Sequence, residues 1–103
     1  MNGLKDVVIL KSDGSDIPSQ QVLDDDHHSV KASADAKTSD IILEFSSRLA
    51  LYEFAKSLLH EAVFGSTGQK EFYPLISNGK PLVVEGARLT EDSSRVFAFY
   101  PRD

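Results

Sequence analysis

Apolar positions along the chain fall into short β-branched runs and one long run with helical spacing, and the two periods predict different elements. Residues 6–11 (DVVILK) carry apolar, mostly β-branched side chains on consecutive positions, which predicts a buried strand, and Asp13-Gly14 supplies the turn that ends it. Residues 40–45 (DIILEF) form the second clear strand, and Ser46-Ser47 then offers a helix N-cap. Between the two strands large apolar residues are sparse: Ile17, Val22, Leu23 and Val30. A structureless loop of that length is unusual inside a compact domain. His28, Val30 and Ala32 alternate with polar neighbours there and predict a half-buried edge strand.

The helix predicted over Arg48–Phe64 is the best-determined element. At about 100° per residue, Leu51, Tyr52, Phe54, Ala55, Leu58, Leu59, Ala62 and Val63 share one half of the wheel, while Glu53, Lys56, Ser57, His60 and Glu61 take the other. A stripe that wide is expected to face a core and pack on a sheet, with Gly65 as the stop. Strand candidates follow in quick succession. Residues 70–76 hold Phe72, Tyr73 and Leu75, Asn78-Gly79 has hairpin-turn chemistry, and residues 81–85 return. Gly86 permits a bulge or bend before residues 87–89, and the polar turn 90–94 leads to a final strand over 95–100. In that strand Phe97 and Phe99 share one face and Val96, Ala98 and Tyr100 the other. It is therefore expected to be central, or to offer an interface on the side away from the helix. The fold class is α+β: one amphipathic helix packed on a mainly antiparallel sheet, closing as a meander, in the rough order β-(β)-β-α-β-β-β within one domain, 1–103.

Composition changes this picture little. A chain of 103 residues, 41% hydrophobic and 26% charged, is ordinary globular material with enough length for a core that needs no disulfide or metal. Cysteine is absent, which removes disulfide frameworks, thiolate metal sites and cysteine nucleophiles. No apolar run approaches the roughly 18 residues a membrane span needs. The first ten residues also lack the basic start and small-residue cleavage site of a signal peptide, so a cytoplasmic protein is expected.

Charge adds more. The net charge of -5 lies almost wholly in residues 12–40, where seven aspartates, Asp24, Asp25 and Asp26 among them, face only Lys31 and Lys37. Such a segment repels nucleic acid and anionic membrane and steers a basic partner toward itself.

Catalytic motifs fail at named positions. Residues 65–70 (GSTGQK) superficially suggest a phosphate loop, but the spacing is short, Glu71 follows the lysine, and the segment follows a helix. His60-Glu61 begins like a zinc-binding HExxH, yet Phe64 stands where the second histidine belongs. His27 and His28, next to three aspartates, are weak metal candidates, since consecutive residues cannot all point at one centre. No G-x-S-x-G elbow is present. Arg48, Arg88 and Arg95 would bind an anion if they converged. Tyr52 and Tyr73, each with a polar tip on an apolar body, are binding candidates.

Three function classes remain. The first is a non-catalytic protein-binding module presenting Asp24, Asp25, Asp26 and aromatic surface, with no cofactor. Immunity- or antitoxin-type inhibitors of basic nucleases are small acidic chains that act by charge complementarity, an analogy of size and charge only. The second is a self-associating structural or accessory protein, favoured by the two-faced apolar strand and the edge strand. The third is a ligand-binding domain or enzyme with a pocket between helix and meander, using His60, Tyr73, Arg88 and Arg95.

Overall fold

The computed structural model describes Leu4 and residues 6–102. A five-residue helix α1 (Gln20–Asp24) precedes a hairpin of β1 (Val30–Ala34) and β2 (Ile41–Phe45). The long helix α2 spans Arg48–Phe64, and then come β3 (Gln69–Phe72), β4 (Ile76–Ser77), β5 (Lys80–Pro81), β6 (Val83–Val84), β7 (Ala87–Arg88) and β8 (Val96–Phe99). The architecture is α+β, and the strands join antiparallel in pairs: β1 with β2, β3 with β8, β4 with β5, β6 with β7.

Several elements follow from local chemistry. Ser47 caps α2 by accepting the Ala50 N–H at 3.0 Å. Gly65 ends the helix with an extended backbone, φ -71°, its N–H donating to the Glu61 carbonyl at 2.8 Å. Asn78 and Gly79 take φ of 52° and 75°, the left-handed pair that a two-residue hairpin loop requires. The aspartates of the acidic segment build turns. Asp13 accepts from the Ser15 N–H, Asp25 from the His27 N–H, and Asp35 from those of Lys37 and Thr38.

Four expectations are corrected. Residues 6–11 form no strand, and Val7 and Ile9 stand 68% and 75% exposed. No described strand pairs with this run, although every sheet stops at two strands, and β propensity alone does not bury a segment. The predicted 70–76 strand ends at Phe72 because Pro74 lacks an N–H and restricts Tyr73 before it. At Gly86 there is no bulge and the bend is a full reversal: with Glu85, at φ 90° and 55°, it forms a second two-residue hairpin turn. The C-terminal half is no meander either. β3 skips two short hairpins to pair with β8, whose strand neighbour among the described residues is β3 alone, so β8 is not central.

The core is one cluster. Val30, Phe54, Phe72, Ala87 and Leu89 are buried together, with Phe45, Leu58 and Val96 packed against them. Phe54 meets Phe45 edge-on at 5.5 Å and Phe72 at 4.5 Å between centroids, so α2 is held between the β1–β2 hairpin and the β3–β8 ribbon. The edge strand near Val30 is present. It is tied down by a parallel bridge from Val30 to Leu89 and by the Ser94 N–H donating to the Ala32 carbonyl at 2.7 Å.

Candidate functional site

The orientation of α2 decides what the surface offers. Its buried residues are Phe54, Glu53 and Ser57, the last two from the side the helical wheel assigns to solvent. Ser57 tolerates burial because its hydroxyl donates to the Glu85 carbonyl at 2.6 Å. The helix is thus turned so that the margin of its apolar half faces the core. Most of that half, Leu51, Ala55, Leu59, Ala62 and Val63, is exposed, with Leu59 at 45%.

The β3–β8 ribbon presents a second apolar surface. Register places Phe99 opposite Gln69 and Phe97 opposite Glu71, on the side away from Lys70, Phe72 and Ala98. The two phenylalanine rings are parallel to within 5° at 6.1 Å, and Phe99 is 73% exposed. Arg95 pairs with Glu71 while its guanidinium lies 5.3 Å from the Phe97 ring and 5.9 Å from the Tyr73 ring. Between α2 and β8 runs a groove of about 290 Å³, lined by Leu58, Ala62, Ala98 and Phe99 with Glu61, Lys70 and Tyr100 on its polar side.

One polar cluster escaped the sequence reading, which met Lys70 only as the tail of a phosphate-loop lookalike. Lys70 is buried on the same strand face as Phe72, and that two-residue alternation was the available signal. Its Nζ donates to Glu85 Oε2 at 2.9 Å and lies 3.8 Å from Glu61 Oε1, while Glu61 Oε2 accepts the Tyr100 hydroxyl. Lys70 and Glu85 separate two clefts, of about 460 and 560 Å³. His60 lines the first and Tyr73 the second, so the helix–meander pocket expected to combine them is divided.

His60 and Arg88 tie segments of the fold together. His60 Nε2 donates to the carbonyls of Lys11 and Ser12, at 2.9 and 3.2 Å, and pins the N-terminal segment to α2. Arg88 is 7% exposed and donates from one nitrogen to the Asp25 and His28 carbonyls at 3.2 and 3.0 Å. Its Nε and Glu53 Oε2 have no protein partner, and both residues line a cavity of about 10 Å³, roughly the room one water needs. Arg95 is committed to Glu71 and Arg48 is exposed in the first turn of α2, so the arginines do not share an anion site. Tyr52 is half-buried on α2.

Asp24, Asp25 and Asp26 are exposed around the end of α1. His27 is exposed, whereas His28 Nδ1 lies 2.6 Å from Ser47 Oγ, joining the segment to the α2 cap. Among the described residues no three histidine or carboxylate side chains gather to hold a metal, and no helix is long and apolar enough to cross a membrane. The chain matches no family model, no curated protein and no solved structure.

Proposed function

We propose that this chain is a non-catalytic protein-binding module that meets its partner through the outward apolar face of α2 and β8. The observation that carries this reading is the rotation of α2, which turns Leu51, Leu59 and Val63 toward solvent. Single exposed apolar residues need no explanation, but an exposed helical stripe that runs into an apolar groove lined by Leu58, Ala62 and Ala98 is the kind of patch that marks an interaction site. The polar groups brought together elsewhere tie elements to one another: Lys70 to Glu85, His60 to the N-terminal segment, Arg88 to residues 25–28.

Asp24, Asp25 and Asp26 add an exposed acidic patch around the end of α1, which favours a basic partner over nucleic acid or anionic membrane. An inhibitor of a basic enzyme would use such a patch for steering. The cysteine-free sequence fits a reducing compartment, and a cytoplasmic location belongs to the same proposal.

The test is capture by the immobilised chain from its source lysate. Wild type should retain a protein other than this chain stoichiometrically, and Leu59→Asp should lose it. Retention of that protein by both, or of no such protein by either, overturns the proposal.

A further inference from the structure

We infer that the outer edge of β2 takes residues 7–11 of a second copy of this chain as an added antiparallel strand. The edge belongs to neither α2 nor β8, so the pairing does not depend on what occupies that face.

The backbone of β2 calls for a strand. The Asp35 N–H donates to the Asp40 carbonyl at 2.9 Å and the Ser46 N–H to the Ser29 carbonyl at 3.0 Å, closing the β1–β2 ladder at its two ends. Between them the pairs Ser33–Ile42 and Lys31–Glu44 turn their N–H and C=O groups inward, so those of Ile41, Leu43 and Phe45 face away from β1. The same alternation holds on β1, where the outward groups are taken. The Val30 carbonyl accepts from the Thr90 N–H at 3.0 Å, the Ala32 carbonyl from the Ser94 N–H at 2.7 Å, and the Ala32 N–H donates to Ser93 Oγ at 2.8 Å. No described residue bonds to the outward groups of β2. A five-residue edge of alternating donors and acceptors, without a bulge, matches an extended backbone. The proline or lysine that commonly guards such an edge is missing from β2.

The side chains say which strand. Ile41, Ile42 and Leu43 are 78%, 44% and 41% exposed, so the added strand must be apolar on both faces. Asp40 and Glu44, both exposed, favour a lysine within it. Residues 7–11 (VVILK) have this composition. Val7 to Leu10 is the one run of four apolar residues outside every helix and strand of the described chain. Its backbone makes no hydrogen bond to a described residue, and Val7 and Ile9 are exposed. A strand-forming run without a strand and an edge without a neighbour thus occur in one molecule.

Within one chain the run and the edge are not paired, so the strand comes from a second copy. With Lys11 opposite Asp40, Leu10 falls opposite Ile41, Ile9 opposite Ile42 and Val8 opposite Leu43. The cation meets the acid, and no like charges face each other. In this register Val8 and Leu10 turn their N–H and C=O groups to the edge, and the Lys11 carbonyl points away from it. That carbonyl is the one His60 of its own protomer holds at 2.9 Å, so the existing bond survives the pairing. Two β2 edges pairing with each other would bring no lysine to Asp40 and Glu44. Exchange in both directions closes a two-fold dimer.

Sedimentation equilibrium of the purified chain from low micromolar to millimolar concentration tests the pairing, with circular dichroism to confirm folding. Wild type should dimerise. Val8→Pro, outside every element, removes a donor from the strand, and Ile41→Pro, at the first residue of β2, removes one from the edge. Each should weaken dimerisation by roughly tenfold or more, while Leu82→Ser, at another exposed apolar position, should not. An equimolar mixture of the two proline variants should associate more tightly than either alone, because one keeps its edge and the other its strand. Amide exchange on wild type gives a readout that needs no variant. The Ile41 and Leu43 amides should slow with rising concentration by more than those of Ile42 and Glu44, which already face β1. A wild type that stays monomeric throughout overturns the pairing. So does a dimer that persists in Val8→Pro, as β2 edges joined to each other would give, or one that persists in folded Ile41→Pro, as joined runs would give. Exchange at Ile41 and Leu43 that ignores concentration overturns it as well.

Discussion

Lys70 Nζ lies 2.9 Å from Glu85 Oε2, so a buried side chain of β3 holds the turn between β6 and β7. The Ser57 hydroxyl holds the same turn by its carbonyl. With Lys70 replaced by Met, Glu61, which is 17% exposed, loses its countercharge, while Glu85, half exposed, can rehydrate. We expect Lys70→Met to cost about 1–3 kcal/mol, read as a lowered urea midpoint at unchanged slope. A midpoint equal to wild type would show that the bridge does not hold the turn.

Phe54 and Leu59 lie in the same apolar half of the helical wheel but in different surroundings. Phe54 touches Phe45 and Phe72, so Phe54→Ala should cost about 3–5 kcal/mol. Leu59→Ala should fall within about 0.5 kcal/mol of wild type at concentrations that keep the chain monomeric. Equal losses in paired urea titrations would mean that α2 faces the core as the wheel alone predicts.

Arg88 is expected to act as a staple. Arg88→Leu keeps an apolar stem but leaves the Asp25 and His28 carbonyls without their donor, at about 2–3 kcal/mol. Amide exchange should quicken over residues 25–30 before other regions respond. Unchanged exchange there would remove the staple role.

Two glycines separate backbone strain from crowding. Gly79, at φ 75°, has nothing within 4 Å of where a Cβ would stand, so Gly79→Ala should cost about 1–2 kcal/mol from conformation alone. Gly86, at φ 90°, would place its Cβ 2.6 Å from Ile17 Cγ2 and 3.3 Å from Ser57. Gly86→Ala should therefore lower the melting temperature further than Gly79→Ala. The reverse order would contradict the tight packing of that turn on α2.

The Asp16–Lys56 pair, 2.8 Å apart, predicts a pH dependence. The hydrogen bond from Lys56 holds the Asp16 carboxyl below its ordinary 3.8, against the opposing effect of burial. Burial pulls Lys56 down, but the hydrogen bond and charge of Asp16 outweigh it and leave its ammonium above 10.5. A depressed acid stabilises the fold above its unfolded value and loses that contribution as pH falls through the folded one. A raised base loses its contribution as pH rises through the folded value. The stability difference between wild type and Asp16→Asn, about 0.5–1 kcal/mol at neutral pH, should shrink toward zero at both extremes. A difference that persists in acid would show that the pair acts by shape and not by charge.

Much of the fold is legible because its signals are local. The Ser47 cap, the Arg48–Phe64 period, the Asn78-Gly79 turn and the alternation at Val30 each lie within a few residues of what they determine. What the sequence hides is non-local. Nothing in residues 69–72 names residues 96–99 as their partner, and nothing in residues 6–11 shows that no described strand pairs with them. The rotation of α2 is hidden for a related reason. Ser57 is polar by composition but satisfied by a carbonyl 28 residues away, so it counts as a core position only once that carbonyl is in place. Of the candidate residues, Asp24, Asp25 and Asp26 are exposed as their charge implies. His60 and Arg88 were candidates for binding, and both donate to backbone carbonyls distant in sequence.

The turn-forming aspartates have a consequence of their own. Asp13, Asp25 and Asp35 each hold a turn through one oxygen, and the amide oxygen of asparagine accepts the same bond. Each such replacement removes one negative charge, so three take the chain from -5 to -2 with every turn intact. Acidity and architecture are therefore separable in this molecule. Its electrostatic reach can be retuned by single-base-scale changes that the backbone does not register.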